Sequence, residues 1–362
     1  MIRCDALIVG GGPGGSTAAR LLRLAGWDVV VADRARFPRD KVCAGWLTPD
    51  VFPLLDLTPS EYRATGLTFQ EITAFRTSVM GGRAVETRYQ RVVSYAIRRC
   101  EFDDFLLQRA GVRRLEDTFV RTLRRDRDRW IVNETIEAPV VIGAGGHFCP
   151  VARHLRGDVE DDRPIVAKET EFPIGGGGTQ VSGTTPELFF CRDLQGYAWC
   201  VRKGEYMNVG IGRRGNLGFG DHVRDFIAFL ERQRIISGVS DARWRGHAYL
   251  GSGLGPRPVT GPGVLLIGDA AGLAYPESGE GIRPAIESGR LAAETLIAAG
   301  RPSELQHLEP YAEALQRMHP AAHENPAPVR TLLAALGRVL LGSRTFTRHV
   351  VLDRWFLRAT QS

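Results

Sequence analysis

Ala6-Leu7-Ile8-Val9-Gly10-Gly11-Gly12-Pro13-Gly14-Gly15-Ser16 is the stretch that decides how this chain folds. Its four apolar residues predict a buried strand, and Gly10 to Gly15 form the turn after it. Ser16 to Ala25, with Ala18, Leu21, Leu22 and Leu24 apolar, predicts a helix that Gly26 ends. Val29-Val30-Val31 then predicts a second, parallel strand. Gly10, Gly12 and Gly15 match G-x-G-x-x-G: the first allows a tight turn, the second lets a pyrophosphate approach the backbone, and the third lets helix and strand pack closely. Asp33 lies 23 positions after Gly10 (33 − 10), at the end of the second strand, where a carboxylate bonds ribose hydroxyls. Strand, turn, helix, strand and acid together predict a dinucleotide site with its phosphates at the positive end of the helix. Pro13, Gly14 and Arg34 belong to the same candidate site.

A second constellation lies far downstream. Leu266-Ile267-Gly268-Asp269-Ala270-Ala271-Gly272 is an apolar strand ending in Gly-Asp, followed by Pro276-Glu277-Ser278-Gly279-Glu280-Gly281-Ile282. Asp269 is placed to bond a ribityl or ribose hydroxyl. Gly279 and Gly281 let a helix N-terminus, opening at Ile282, aim its N–H groups at an electron-rich ring edge, which stabilises an anionic reduced flavin. The first motif alone does not separate FAD from NAD; the second selects FAD.

Between the two motifs the chain changes character. Val93 to Ala96 predicts a strand, Phe102 to Ala110 a helix, Arg121 to Arg129 a charged turn between strands, and Val140-Val141-Ile142 a buried strand leading into Gly143. From 160 to 250 strands dominate, with a glycine run at 175–178, an alternation at Tyr197-Ala198-Trp199-Cys200-Val201 and one helix at about 221–233. The expected fold is α/β: a Rossmann-like FAD-binding domain of the glutathione reductase or p-hydroxybenzoate hydroxylase type, an inserted antiparallel β-sheet substrate domain, and C-terminal helices. The expected boundaries are 1–60, 93–155 and 250–300 for the FAD-binding domain, 61–92 and 156–249 for the substrate domain, and 301–362 for the helical segment.

Composition sets the outer limits. The 362 residues are 43% hydrophobic and 24% charged, which excludes wholesale disorder. A net charge of +6, carried almost entirely by arginine, is too small and too dispersed for a nucleic-acid partner. None of the six cysteines forms a CxxC pair, and no apolar run approaches a membrane span of about 20 residues. The expectation is a reduced, cytoplasmic protein.

With both motifs in hand, the chain resembles the flavoprotein monooxygenase superfamily, which includes aromatic hydroxylases, flavin halogenases and geranylgeranyl reductases. Its reductase-like branch fits best. Phe37-Pro38-Arg39-Asp40-Lys41-Val42-Cys43-Ala44-Gly45 resembles that branch's P-x-x-K-x-C-G-G segment, which brings Lys41, Cys43 and Ala44 to the flavin. Tyr95 to Leu106 resembles its Y-x-x-x-R-x-x-F-D-x-x-L region, which aligns Arg99 with an arginine near the FAD phosphates. Gly196 to Trp199 and Asn208 to Gly212 resemble its Y-x-W-x-F-P…N-V-G-x-G strand pair. The resemblance covers residues 3 to about 300. The chain departs from the pattern in three places. Gly143-Ala144-Gly145-Gly146 lacks the acid many members carry there, although Gly145 remains a candidate contact; NAD(P)H is therefore carried only as a candidate electron donor. Ala44 replaces a glycine, and Val201-Arg202 replaces Phe-Pro, putting a cation where an apolar prenyl tunnel is expected.

The catalytic candidates are Cys43 and Lys41, and the substrate-wall candidates are Tyr197 and Trp199, which alternate around Ala198 and so share one sheet face. Core packing is the competing reading for the aromatic pair. Glu280 stands near the ring edge, where a carboxylate also simply suits a helix start. His319 and His323, at i and i+4, lack a third ligand, so no metal is expected. The arginine-rich C-terminal segment from Val329 packs as a helix pair or touches a membrane or protein partner. The function expected is an FAD-dependent oxidoreductase moving a hydride between flavin N5 and a small-molecule or carrier-bound organic substrate, with reduction of a double bond included. The alternatives are a hydroperoxide-forming monooxygenase, a halogenase, and a flavoprotein that modifies a protein partner.

Overall fold

The computed structural model describes residues 1–157, 165–175, 179–236, 238–240, 242–249, 257–300, 308–320 and 336–358. The fully buried apolar run Ala6–Val9 forms the central strand of a six-stranded sheet. Val29–Ala32 and then Arg113–Leu115 lie parallel to it on one side. Val140–Gly143 and then Val264–Leu266 lie parallel on the other, with Thr260–Gly261 as an antiparallel edge. The four inner strands are buried on both faces and so apolar throughout rather than alternating, which is why they read as short hydrophobic runs, whereas the edge strand Arg113–Leu115 carries exposed arginines.

The first helix spans Pro13–Leu24 and starts three residues before Ser16, because proline's fixed φ and missing N–H suit a first helical turn. It crosses the long helix Ile282–Ala299 at very short range. A Cβ on Gly14 would stand 2.5 Å from the Ala285 carbonyl oxygen, and one on Gly289 would stand 2.4 Å from that of Gly14. Only bare backbones fit there, so the two distant motifs are locked together by packing.

A seven-stranded sheet forms the second body, in the order Arg245–Tyr249, Ile165–Pro173, Tyr206–Arg214, Gly196–Lys203, Glu187–Phe190, Ala74–Val79 and Val85–Arg88. It is antiparallel as expected, except that Glu187–Phe190 pairs in parallel with Ala74–Val79. The helix Phe219–Arg232 covers one face, packing on Ala198, Cys200, Val209 and Ile211. The other face, carrying Leu188, Phe190, Trp199 and Val201, packs against Val351, Leu352 and Phe356 of a C-terminal helix with wide π-type turns, Thr347–Phe356.

The segment 121–129 is not one long charged turn. Leu123–Asp126 and Arg129–Val132 pair with Asp126 opposite Arg129, so only residues 127 and 128 turn. The charges lie on an exposed strand, where Arg124 reaches Glu134 at 3.0 Å; a one-sided sheet accepts them on its wet face. The run 176–178 lies outside the described residues.

Candidate active site

Three parallel strands end side by side. Val9 runs into Gly10, Gly143 into Ala144, and Leu266, through Ile267, into Gly268. The connections leave the sheet in opposite directions on either side of the central strand, which opens a crevice beyond the strand ends. A single cavity of about 510 Å³ fills it and continues toward the second sheet. Gly10, Gly12, Pro13, Gly14, Gly15, Asp33, Arg34, Lys41, Cys43, Ala44, Arg99, Gly145, Tyr197, Trp199, Gly268, Asp269, Gly279, Gly281 and Ile282 all line it. Residues from widely separated segments, expected to act together, share one wall-to-wall space.

The cradle is made of backbone. Gly10 has φ +117, a conformation L side chains rarely adopt, and a Cβ there would stand 2.3 Å from the Ala144 oxygen. Gly12 differs: a Cβ there would meet only the Arg39 guanidinium, at 3.6 Å. Protein packing does not require that glycine, so its bareness serves whatever approaches the turn. Neither Pro13–Leu24 nor Ile282–Ala299 has a side-chain cap or an acid in its first turn. The first helix therefore presents uncapped N–H groups to the cavity, and so does the start of the second at Gly281 and Ile282; such groups favour anionic or electron-rich ligand atoms. Asp33 is buried and held rigid, with Oδ2 accepting from Gly11 N at 2.8 Å and Oδ1 from Ala35 N at 2.9 Å.

Arg99 is not a free cation. Both Asp103 oxygens hold its guanidinium, at 2.7 and 2.8 Å, and Arg39 stands 3.4 Å from the same carboxylate. Arg39 also stands 3.9 Å from Asp33, so it links Asp33 to the Asp103–Arg99 pair.

Lys41 Nζ contacts His247 Nε2 at 2.7 Å, and that nitrogen lies 3.7 Å from Asp269 Oδ2. Burial pulls Lys41 down to about 8, and burial likewise lowers His247. Burial alone would push Asp269 up, but the His247 hydrogen bond and the charges of Lys41 and Arg99 outweigh it and hold the carboxyl below its ordinary value. His247 was not legible in the sequence: it is a lone histidine on an edge strand, brought here only by the pairing of Arg245–Tyr249 with Ile165–Pro173.

The wall toward the second sheet is made of side chains. Tyr197 and Trp199 face the cavity, while Ala198 and Cys200 face the helix behind the sheet. The Tyr197 hydroxyl donates to the Ser278 carbonyl, and Trp199 Nε1 donates to Asn208 Oδ1 at 2.7 Å. Trp46 and Phe356 complete the wall, with ring centroids 5.5 Å apart; Phe356 also stands 5.1 Å from Tyr197. Phe356 comes from the C-terminal segment and no motif announced it. Arg202, expected to put a cation into an apolar channel, does not line the cavity. It sits on the opposite sheet face from Val201 and donates to the Gly204 carbonyl at 2.8 Å.

Beneath the Cys43 loop lies a buried polar network. Lys203 is fully buried and bonds Glu171 at 2.7 Å, with the Cys43 carbonyl at 3.5 Å. Asn208 Nδ2 reaches the same carbonyl at 3.5 Å and Glu171 at 3.3 Å. Gly45 N donates to Cys43 Sγ at 3.3 Å. Of the histidine pair, His319 lies 3.8 Å from Glu287, and His323 lies outside the described residues.

Comparison with known proteins agrees with this geometry. A family model for the FAD binding domain matches residues 3–170. The menaquinone reductase of Mycobacterium tuberculosis is 30% identical over 329 residues, covering 81% of this chain and 76% of that protein. The geranylgeranyl diphosphate reductase of Rhodobacter capsulatus is 30% identical over 329 residues, covering 84% and 78%. The solved structure of a geranylgeranyl bacteriochlorophyll reductase-like protein from Thermoplasma acidophilum superposes with a TM-score of 0.73 at 21% identity, over 94% of this chain and 88% of that one.

Proposed function

The chain belongs to the geranylgeranyl reductase-like branch of the flavoprotein monooxygenase superfamily and is an FAD-dependent oxidoreductase; on that premise we propose that it reduces a carbon–carbon double bond in a largely apolar organic substrate. The observation that carries this reading is the continuity of one cavity from the glycine cradle to the aromatic wall. A dinucleotide in the cradle and an apolar molecule against Trp46, Tyr197, Trp199 and Phe356 would share it. The wall offers stacking surface; the Tyr197 and Trp199 donors are already bonded within the protein, and the Trp46 ring N–H is buried without a partner.

The residues present fit FAD. Gly10, Gly12, Pro13, Gly14 and Gly15 would hold the pyrophosphate at the first helix, with Gly145 across the crevice. Asp33 would take the adenosine ribose, with Arg34 at the mouth, and Gly268 and Asp269 the ribityl chain. The N–H groups at Gly281 and Ile282 would face the ring edge, with Gly279, whose own N–H is held by the Tyr275 carbonyl at 2.7 Å, shaping the turn before them. Arg99 would act from beneath the phosphates, fixed by Asp103. Cys43 and Ala44 would lie along the ring, and Lys41 would place a titratable cation beside Asp269. Bound FAD supplies hydride transfer at N5; the protein supplies orientation, exclusion of water and charge balance. In this division residues 1–60, 93–155 and 250–300 carry the cofactor. Residues 61–92 and 156–249 carry the substrate wall, and the segment 301–362 closes it with Phe356. The same segment exposes Leu336 and Val339 beside Arg338 and Arg344, a surface suited to a membrane-borne or carrier-bound substrate.

The test is anaerobic. Holoenzyme is photoreduced and mixed with geranylgeranyl diphosphate, with NADPH supplied in a parallel arm as donor. Reoxidation of the flavin together with a product two hydrogens heavier is the expected result. Reoxidation by oxygen alone, through a transient C4a-adduct absorbance, would replace the reductase reading with the monooxygenase one.

A further inference from the structure

One hydroxyl on the cavity's rim strand is uncommitted. The edge strand Arg245–Tyr249 turns Arg245, His247 and Tyr249 toward the cavity and Ala248 away from it, as a period of two requires. Two of the three have partners: Arg245 bonds Asp40, and His247 meets Lys41 at 2.7 Å. The donors of the aromatic wall have partners too, Tyr197 in the Ser278 carbonyl and Trp199 in Asn208. Tyr249 is half-buried, and its hydroxyl bonds no group among the described residues. Unlike Trp46 Nε1, which is sealed inside the protein, that oxygen is reached from the cavity. A phenol O–H needs a hydrogen-bond partner, and here it must come from what fills the cavity.

Position selects which part of the contents supplies it. The Tyr249 oxygen rests on the bare backbone of Gly279, where a Cβ would collide with it. Gly279, with φ +68, opens the turn that leads to the Gly281 and Ile282 N–H groups. The Tyr249 ring lies 6.1 Å from that of His247, 25° from parallel, and His247 reaches Asp269 at 3.7 Å. Among the described residues its ring contact is with His247, whereas Trp46, Tyr197, Trp199 and Phe356 contact one another. Asp269 and Cys43, the residues given above to the ribityl chain and the ring, are among its titratable neighbours. Tyr249 therefore belongs to the cofactor's side of the cavity.

We propose that Tyr249 donates a hydrogen bond to a carbonyl oxygen on the pyrimidine edge of the flavin and so raises its reduction potential. This rests on the FAD placement proposed above and adds a side-chain donor to the backbone N–H groups of Gly281 and Ile282. Two-electron reduction with one proton taken up at N5 leaves a negative charge spread over that edge. A hydrogen bond to a charged acceptor is stronger than one to a neutral carbonyl, so the donor favours the reduced form. Burial raises the Tyr249 phenol above its ordinary value, which keeps the proton in place for donation.

The experiment compares FAD-loaded wild type, Y249F and Y275F by anaerobic reductive titration at pH 7 against an indicator dye of known potential. Y249F keeps the ring over Gly279 and loses the hydroxyl alone, so it binds FAD with equal stoichiometry. Its redox equilibrium moves about tenfold toward the oxidised flavin, about 30 mV lower for two electrons, and its oxidised visible bands shift from those of wild type. Tyr275 flanks the same turn, but its hydroxyl bonds Glu287 at 3.4 Å outside the cavity, so Y275F keeps the wild-type potential. An unchanged potential in Y249F overturns the proposal. An equal fall in Y275F also overturns it, by showing that the turn has merely loosened. A raised KM for geranylgeranyl diphosphate in Y249F with the potential unchanged assigns the hydroxyl to the substrate and overturns it as well. If reduced wild type shows the absorbance of neutral rather than anionic reduced flavin, the ring-edge placement fails and takes the proposal with it, a result distinct from failure of Tyr249 alone.

Discussion

The glycine cradle and the aromatic wall enclose the same cavity and are built by opposite means. The cradle is backbone: three strand ends, two uncapped helix starts, and glycines where a Cβ would strike a carbonyl or block an approach. The wall is side chain: rings from residues 46, 197, 199 and 356, supported by a buried ionic network. A backbone site has few ways to be made, because only glycine allows it. A side-chain site can be assembled from any segments that the fold brings near. The cradle therefore tolerates few side chains, while the wall tolerates many.

The sharpest way to break that contrast is Gly12→Val. Because a Cβ there meets only Arg39, at 3.6 Å, the chain should fold as before. The branched side chain would stand where the phosphates must approach. FAD affinity is expected to fall roughly a thousandfold, about 4 kcal/mol, with far-UV circular dichroism unchanged. A yellow Gly12→Val protein would mean that the cradle is not the phosphate site.

The wall should fail differently, through its foundations. Lys203 is wholly buried against Glu171, and Lys203→Met keeps the bulk while removing the charge. Breaking a buried pair by removing one partner costs about 3 to 5 kcal/mol. Arg98 still bonds Glu171 at 2.9 Å, so the low end, about 3 kcal/mol, is expected in urea unfolding. FAD affinity should change far less than in Gly12→Val. Equal stability of the variant would reduce the network to filler.

The same contrast explains what could be read from the chain. The parallel sheet, its first helix and both glycine motifs were legible, because their constraints are local: an apolar strand, a bare turn, an acid at a fixed distance. Tyr197 and Trp199 were legible as sharing a face, since strand periodicity fixes that. His247 and Phe356 were not. Each reaches the cavity through contacts with segments that carry no local mark of them, His247 by pairing onto the strand Ile165–Pro173 and Phe356 by packing a C-terminal helix across the sheet. Arg202 was misread for a related reason: a motif alignment assigns a residue to a channel, but a period of two decides which face it occupies. Arg99 was placed at the cavity by resemblance, yet its tie to Asp103 at i+4 could have been read from helix spacing.

The smallest expected effect probes how dry the wall's foundation is. Glu169 is buried beside Asn208, at 3.4 Å, and burial pushes its carboxyl up from 4.5 to about 6. Its pKa is higher in the folded chain than in the unfolded one, so its contribution to stability is fully present below pH 4.5 and is lost as pH rises through 6. A shift of that size corresponds to about 2 kcal/mol. Glu169→Gln cannot ionise and removes this term, whereas Asp269 and Glu171, whose lowered values act in the opposite direction, remain in both proteins. The unfolding free energy of wild type minus that of Glu169→Gln should therefore decline by about 2 kcal/mol between pH 4.5 and 7, and stay level below that range. A difference that stays flat throughout would mean water reaches Glu169. The wall would then be solvated from beneath, and its contrast with the cradle would lie in geometry alone.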